Sequence, residues 1–207
     1  MRQLSLGVPH RVYGMARSGN CHKVRMALDH LNLPYRWHEV DVVGGETRSE
    51  RFLAINPAGK VPVLQIDATT HLPESNAILG YLAEGTPLWP GERLARAQVL
   101  QWMFFEQYSH EPYVAVARYI RVFLKRTDDP RLPGLVAKGI EALDVMERHL
   151  ARHEFLVGRG LTIADLALYA YTHCAADAGI DLAPHPAIRG WLERCGAERG
   201  VGPMPAA

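Results

Sequence analysis

Apolar positions change their spacing along this chain, and the changes divide it. Arg11-Val12-Tyr13-Gly14 is a short strand candidate that stops at a polar turn, Ala16-Arg17-Ser18-Gly19-Asn20. From Cys21 to Leu31, apolar residues recur at Val24, Met26-Ala27-Leu28 and Leu31, a helical spacing. Asn32-Leu33-Pro34 ends that helix, and Tyr35 to Val43 alternates as a second strand. Strand, helix, strand over this length predicts a parallel βαβ unit. Gly44-Gly45 breaks the chain, and Glu46 to Ile55 reads as a short helix closed by Asn56-Pro57.

A hairpin follows. Val61-Pro62-Val63-Leu64-Gln65-Ile66 is an apolar run, then a polar break, then His71-Leu72-Pro73, and Glu74-Ser75 opens a helical pattern at Asn76-Ala77-Ile78-Leu79. A proline in a strand needs a special reason. One such reason is a cis peptide at a ligand-facing turn, where the preceding residue offers its backbone to a bound peptide. From Glu92 only helical patterns remain. One carries Leu94, Ala97, Leu100, Phe104-Phe105 and Tyr108, with Pro112 kinking or restarting it. Pro133 opens another, through Val136, Ile140, Leu143, Met146 and Leu150. Thr162 with Asp165 forms a capping box, with Leu161 able to staple onto Leu166, and Pro186 to Arg194 makes a last helix.

The expected organisation is α/β plus all-α. Residues 10–84 form a βαβ–ββα domain, 85–91 a linker rich in Gly and Pro, and 92–207 an all-helical domain. The 207 residues carry a net charge of +1 without a Lys/Arg block, so no nucleic-acid partner is expected. No apolar run is long enough to span a membrane, and Met1 to His10 has no signal-peptide core. Three scattered cysteines, Cys21, Cys174 and Cys195, do not suggest a disulfide framework, and the cytoplasm is the expected compartment. His149 and His153 stand four apart but lack a third ligand, so a surface pair is expected and no metal site. Gly158-Arg159-Gly160 reads as a turn before the capping box and not as a phosphate cradle.

The strand order with proline at the start of the third strand is that of the thioredoxin-like fold. Joined to a helical domain of this length, it resembles the cytosolic glutathione transferases, in particular bacterial members with a serine/asparagine-type active-site turn. The resemblance rests on Asn56-Pro57-Ala58-Gly59-Lys60-Val61-Pro62-Val63-Leu64, on Glu74-Ser75-Asn76-Ala77-Ile78, and on Thr162 to Asp165, and covers Arg11 to about Arg194. It implies that Val61-Pro62 is cis, with the Val61 backbone pairing with the cysteinyl unit of glutathione. It further implies that Glu74 and Ser75 bind the γ-glutamyl end and that Lys60 meets the glycyl carboxylate. A carboxylate at the start of the helix near Ser75 would meet free N–H groups and the serine hydroxyl.

The turn after the first strand is where this family activates the thiol. A free thiol, with a pKa of about 8.5, is mostly protonated at neutral pH, so a hydroxyl or amide donor beside a helix N-terminus would favour its thiolate. Ser18 is the first candidate, Asn20 the second and Tyr13 the third. Ser18-x-x-Cys21 is a redox pair with its first member replaced, so Cys21 is read as a buried small apolar residue. In the family the first helix of the second domain lines the electrophile pocket, which points to Tyr108, His110 and Tyr113. The leading expectation is a homodimeric, detoxifying glutathione transferase that takes glutathione as co-substrate and a hydrophobic electrophile. The alternatives are a glutathione-dependent disulfide reductase or peroxidase, and a non-catalytic interaction protein of the same fold.

Overall fold

The structure, a computed structural model, describes residues 9–205. Strands β1 (His10–Gly14) and β2 (Tyr35–Glu39) run parallel and are joined by α1 (Gly19–His30), so the expected βαβ unit is present. β3 (Val63–Gln65) pairs antiparallel with β1, and β4 (His71–Pro73) antiparallel with β3, giving the sheet order β2-β1-β3-β4. Alternation sends Val12 and Leu64 to the face packed by α1 and α3 (Ser75–Ala83). Tyr13 and Val63 take the other face, with Phe52 of α2 (Glu50–Leu53).

Three expectations need adjusting. The apolar run Val61–Ile66 is a strand only over Val63–Gln65, so Pro62 stands just before β3 and not within it. The second strand ends at Glu39, short of Val43, because Asp41 turns the chain. Its backbone N–H donates to Glu46 Oε2 at 2.8 Å, and its carboxylate accepts from the Gly44 N–H at 2.7 Å. The helix expected over Glu46–Ile55 is a 3₁₀ turn at Glu46–Arg48 followed by α2. Ser49 divides them: its backbone is extended, and its hydroxyl oxygen caps α2 by accepting from the Phe52 N–H.

The remaining described chain is helical. α4 (Arg93–Phe105) starts on Glu92, whose carboxylate accepts from the Leu94 and Ala95 N–H groups. Pro112 lacks an N–H, and the chain meets it with a wide π turn at Glu106–His110 before α5 (Glu111–Arg118). A second π turn spans Tyr119–Phe123, then come α6 (Leu132–Leu150), α7 (Ile163–Thr172) and α8 (Pro186–Gly196). All ten residues of α7 are buried, packed against α1, α3, α4, α5 and α8. Its capping box forms as expected. Asp165, withdrawn from solvent, accepts from the Thr162 N–H and hydroxyl, and also from the Leu156 N–H and the Trp191 indole.

After α8 the chain returns to the first helix. The His22 ring meets the Gly202 carbonyl at 2.7 Å, the His30 ring meets the Arg199 carbonyl at 2.9 Å, and Arg199 donates to the Asn32 side chain. Among the described residues no helix is long and apolar enough to cross a membrane.

Candidate active site

Ser18 stands just before α1 with extended backbone, and its Oγ accepts the Cys21 N–H at 3.4 Å. Capping uses the hydroxyl oxygen as acceptor and leaves its O–H able to donate. That side chain opens on a cleft of about 450 Å³, which Met15 and Arg17 line from the same turn and Glu111, Ala115, Val116, Tyr119 and Phe123 from the helical half. Cys21 points inward with no exposure, and burial pushes its thiol up to about 11, so it is the inert apolar residue expected. Gly19 is required by its neighbour: a Cβ there would lie 2.5 Å from Cζ of Tyr171, which also lines the cleft.

Asn20 faces elsewhere. Its side-chain amide donates to Glu111 Oε1 at 3.2 Å, and its carbonyl accepts from the Ser75 hydroxyl at 3.3 Å. With Lys60, Val61, Pro62, Glu74 and Ser75 it lines a smaller cavity of about 100 Å³. Lys60, Val61 and Glu111 line both spaces, which therefore adjoin. The fold thus gathers Lys60, Val61, Glu74 and Ser75 in one place, while Ser18 and Asn20, expected to act together, serve different parts of it.

The Val61–Pro62 peptide is cis. Outside the sheet ladder, no hydrogen bond among the described residues engages the Val61 backbone. Glu74 holds a left-handed φ of 70° immediately before α3, a conformation that a non-glycine residue adopts at a cost of about 1–3 kcal/mol. Ser75 is the first residue of α3, where backbone N–H groups lack helical partners and attract anions.

Beneath Ser75 lies a group that sequence reasoning missed. Lys23 is fully buried; its Nζ donates to Glu106 Oε1 at 2.8 Å and lies 3.5 Å from Ser75 Oγ. The second Glu106 oxygen accepts from Asn76 and Gln107. A polar chain therefore runs from Glu106 through Lys23, Ser75 and Asn20 to Glu111. Burial raises the Glu111 carboxyl above the usual carboxylate range, and the Lys23 charge pulls it part of the way back. One signal for Lys23 was present: three- and four-residue spacing puts it on the face of Met26 and Ala27.

Known proteins place this geometry. A family model described as the glutathione S-transferase N-terminal domain matches residues 17–84, and one described as the C-terminal domain matches residues 129–194. The Anopheles gambiae protein named Glutathione S-transferase 2 is 30% identical over 184 residues, 86% of each chain. The chain belongs to the glutathione S-transferase family. This transferase is also 30% identical over 199 residues, 90% of each chain, to the Escherichia coli protein named Disulfide-bond oxidoreductase YfcG. The crystal structure of a glutathione S-transferase from Pseudomonas fluorescens matches with a TM-score of 0.93 at 49% identity, covering 96% of this chain and 100% of that one. The fold is accordingly a thioredoxin-like domain followed by a helical one.

In this glutathione S-transferase the aromatic residues expected at the electrophile pocket do not line the cleft. Tyr108 is 83% exposed, His110 is fully buried against the Thr172 hydroxyl, and Tyr113 is half-buried outside the lining. The π turn at Glu106–His110 is the physical reason: its wider winding resets the register, so Ala115, Val116, Tyr119 and Phe123 face inward. Tyr13, the third thiol candidate, lies on the opposite face of the sheet, bonded to Gln65 and edge-on to His38. The pair His149 and His153 stacks at 4.1 Å, with His153 exposed and His149 half-buried against Trp102. Among the described residues no cluster of three or more His, Cys, Asp or Glu side chains suits a metal.

Proposed function

We propose that this glutathione transferase lays glutathione across the two cavities and activates its thiol at Ser18. The observation that carries the reading is the shared lining by Lys60 and Val61, which sets the groove under Ser75 side by side with the cleft beside Ser18. The γ-glutamyl carboxylate takes the N-terminus of α3 and the Ser75 hydroxyl, while Glu74 accepts from the ammonium. The cysteinyl unit pairs with the backbone of Val61, and Lys60 meets the glycyl carboxylate. The sulfur then lies by Ser18, whose O–H donates to the thiolate at the positive end of α1. Asn20, bound to Ser75 and Glu111, orients the peptide end. The thiol proton leaves to solvent, sulfur bonds the electrophilic carbon, and the leaving group departs with its bonding pair. No metal takes part.

The test is the pH dependence of ultraviolet thiolate absorbance with glutathione bound. The bound thiol should titrate at least about one unit below the free value of about 8.5. Ser18→Ala should reverse that shift and lower kcat/KM by about 100-fold, the scale for losing one donor to a developing anion. An unshifted thiol in the wild type ends this reading.

A second reading is favoured by the relative named a disulfide-bond oxidoreductase. With Ser18 in place of a thiol, both sulfurs would come from glutathione: two molecules reduce one disulfide to two thiols and leave as glutathione disulfide. Peroxide reduction follows the same balance, giving water and an alcohol. Turnover of a model disulfide against that of an aromatic halide separates these activities. A homodimer is supported by exposed Leu94, Leu100, Phe104 and Tyr108 along α4 and the turn after it. We assign the transferase to detoxification in the cytoplasm, with no nucleic-acid or membrane partner.

A further inference from the structure

We propose that the larger cleft takes electrophiles in which a flat apolar body carries a carboxylate or similar anion, and that Arg17 is the partner of that anion. This rests on the transferase reading of the cleft. Four cations line the space, Arg17, Arg48, Lys60 and Arg118, against one acid, Glu111. The whole chain carries 23 Lys and Arg against 22 Asp and Glu, so the excess is local to the cleft.

Two of the four cations have other work. Arg118 is committed, its Nε 3.0 Å from Asp177 and its Nη1 donating to the Arg17 carbonyl at 2.9 Å. Lys60 adjoins Val61 and also lines the peptide cavity, whereas Arg48 lines only the larger cleft and lies over Gly59, where a Cβ would come within 2.6 Å of its Nη1. Of Arg17 and Arg48, only Arg17 rests on an aromatic ring of the cleft wall. Its guanidinium sits 4.7 Å from the centre of the Phe123 ring, and among the described residues it makes no ion pair.

Phe123 in turn stacks on Tyr119 at 5.4 Å and 26°. The wall is therefore an aromatic platform with a fixed cation on it, continued by Ala115 and Val116. A guanidinium held on a ring keeps its planar fork ordered for a bidentate anion, at less entropic cost than a free side chain. Arg17 precedes Ser18 in the chain. An electrophile lying on Tyr119 and Val116 can thus turn its reacting carbon to the sulfur and its anion to Arg17.

The test compares 4-chloro-3,5-dinitrobenzoate with its methyl ester. In each, the thiolate sulfur bonds the ring carbon bearing chlorine, and chloride leaves with the bonding pair. Catalysed kcat/KM is divided by the uncatalysed rate with glutathione, which removes the difference in intrinsic reactivity. The wild type should favour the acid at least about tenfold, and the preference should shrink at high salt. Arg17→Met should lower the acid at least about tenfold more than the ester, and Arg17→Lys should retain part of the preference. Equal treatment of acid and ester by the wild type, or equal losses in Arg17→Met, overturns the assignment and leaves the transferase intact. Conjugation of neither compound overturns both.

Discussion

Lys23 and Glu106, 83 residues apart, form an ion pair of 2.8 Å from which water is wholly excluded, and Ser75 rests on its ammonium end. Removing one partner strands a buried charge, which costs about 3–5 kcal/mol. Lys23→Met and Glu106→Gln should each lower unfolding stability on that scale in urea titrations. Lys23→Met with Glu106→Leu should recover most of the loss, because two apolar groups leave no orphaned charge. All three should raise the KM for glutathione, since Ser75 loses its support. A double variant no better than the singles would show that the pair acts independently of mutual neutralisation.

Gly19→Ala should be costly for a steric reason. The added methyl would lie 2.5 to 2.8 Å from three ring atoms of Tyr171, and both residues are buried. Forced overpacking costs about 1–3 kcal/mol. Because Gly19 begins α1 directly after Ser18, kcat should fall along with the melting temperature. Tyr171→Ala in the same chain gives the cycle: a combined loss smaller than the sum places the clash on that ring. Simple additivity would contradict it.

Acid should destabilise the protein before its carboxylates are protonated. Burial lowers both His22 and His110 to about 4, so both are neutral in the folded chain near neutrality. The unfolded chain protonates them near 6.5. Below that pH it binds more protons than the fold does, so stability declines from about pH 6.5 toward about 4, where these two groups stop contributing. Melting temperatures across that window measure the slope, and His22→Gln should flatten it. An unchanged slope in that variant would clear His22 of any part in the acid sensitivity.

The sheet half was legible because its signals are local. Alternation gave the strands, Asn32 and Pro34 the end of α1, and the Thr162–Asp165 spacing the start of α7. Lys60 with Val61 and Glu74 with Ser75 were placed by two short motifs, and they meet in one cavity. The facing wall was not readable. Which residues of the long helical stretch turn inward depends on a π turn that shifts the register, and apolar spacing alone does not reveal that shift. Apolar spacing carries no signal for Glu106 and Glu111, and only the fold shows that they close the polar chain under Ser75. Asn20 was found for its type and position, but its bonds to Ser75 and Glu111 give it a different duty from that of Ser18.

The return of Arg199–Met204 to α1 bears on how the protein moves. The helical half leaves the sheet half after α3 and is fastened to it again by the Gly202 carbonyl on His22 and the Arg199 carbonyl on His30. A body attached at one point can swing; attached at two, with a buried ion pair between them, it is braced. The two attachments oppose rigid-body opening of the cleft between the halves.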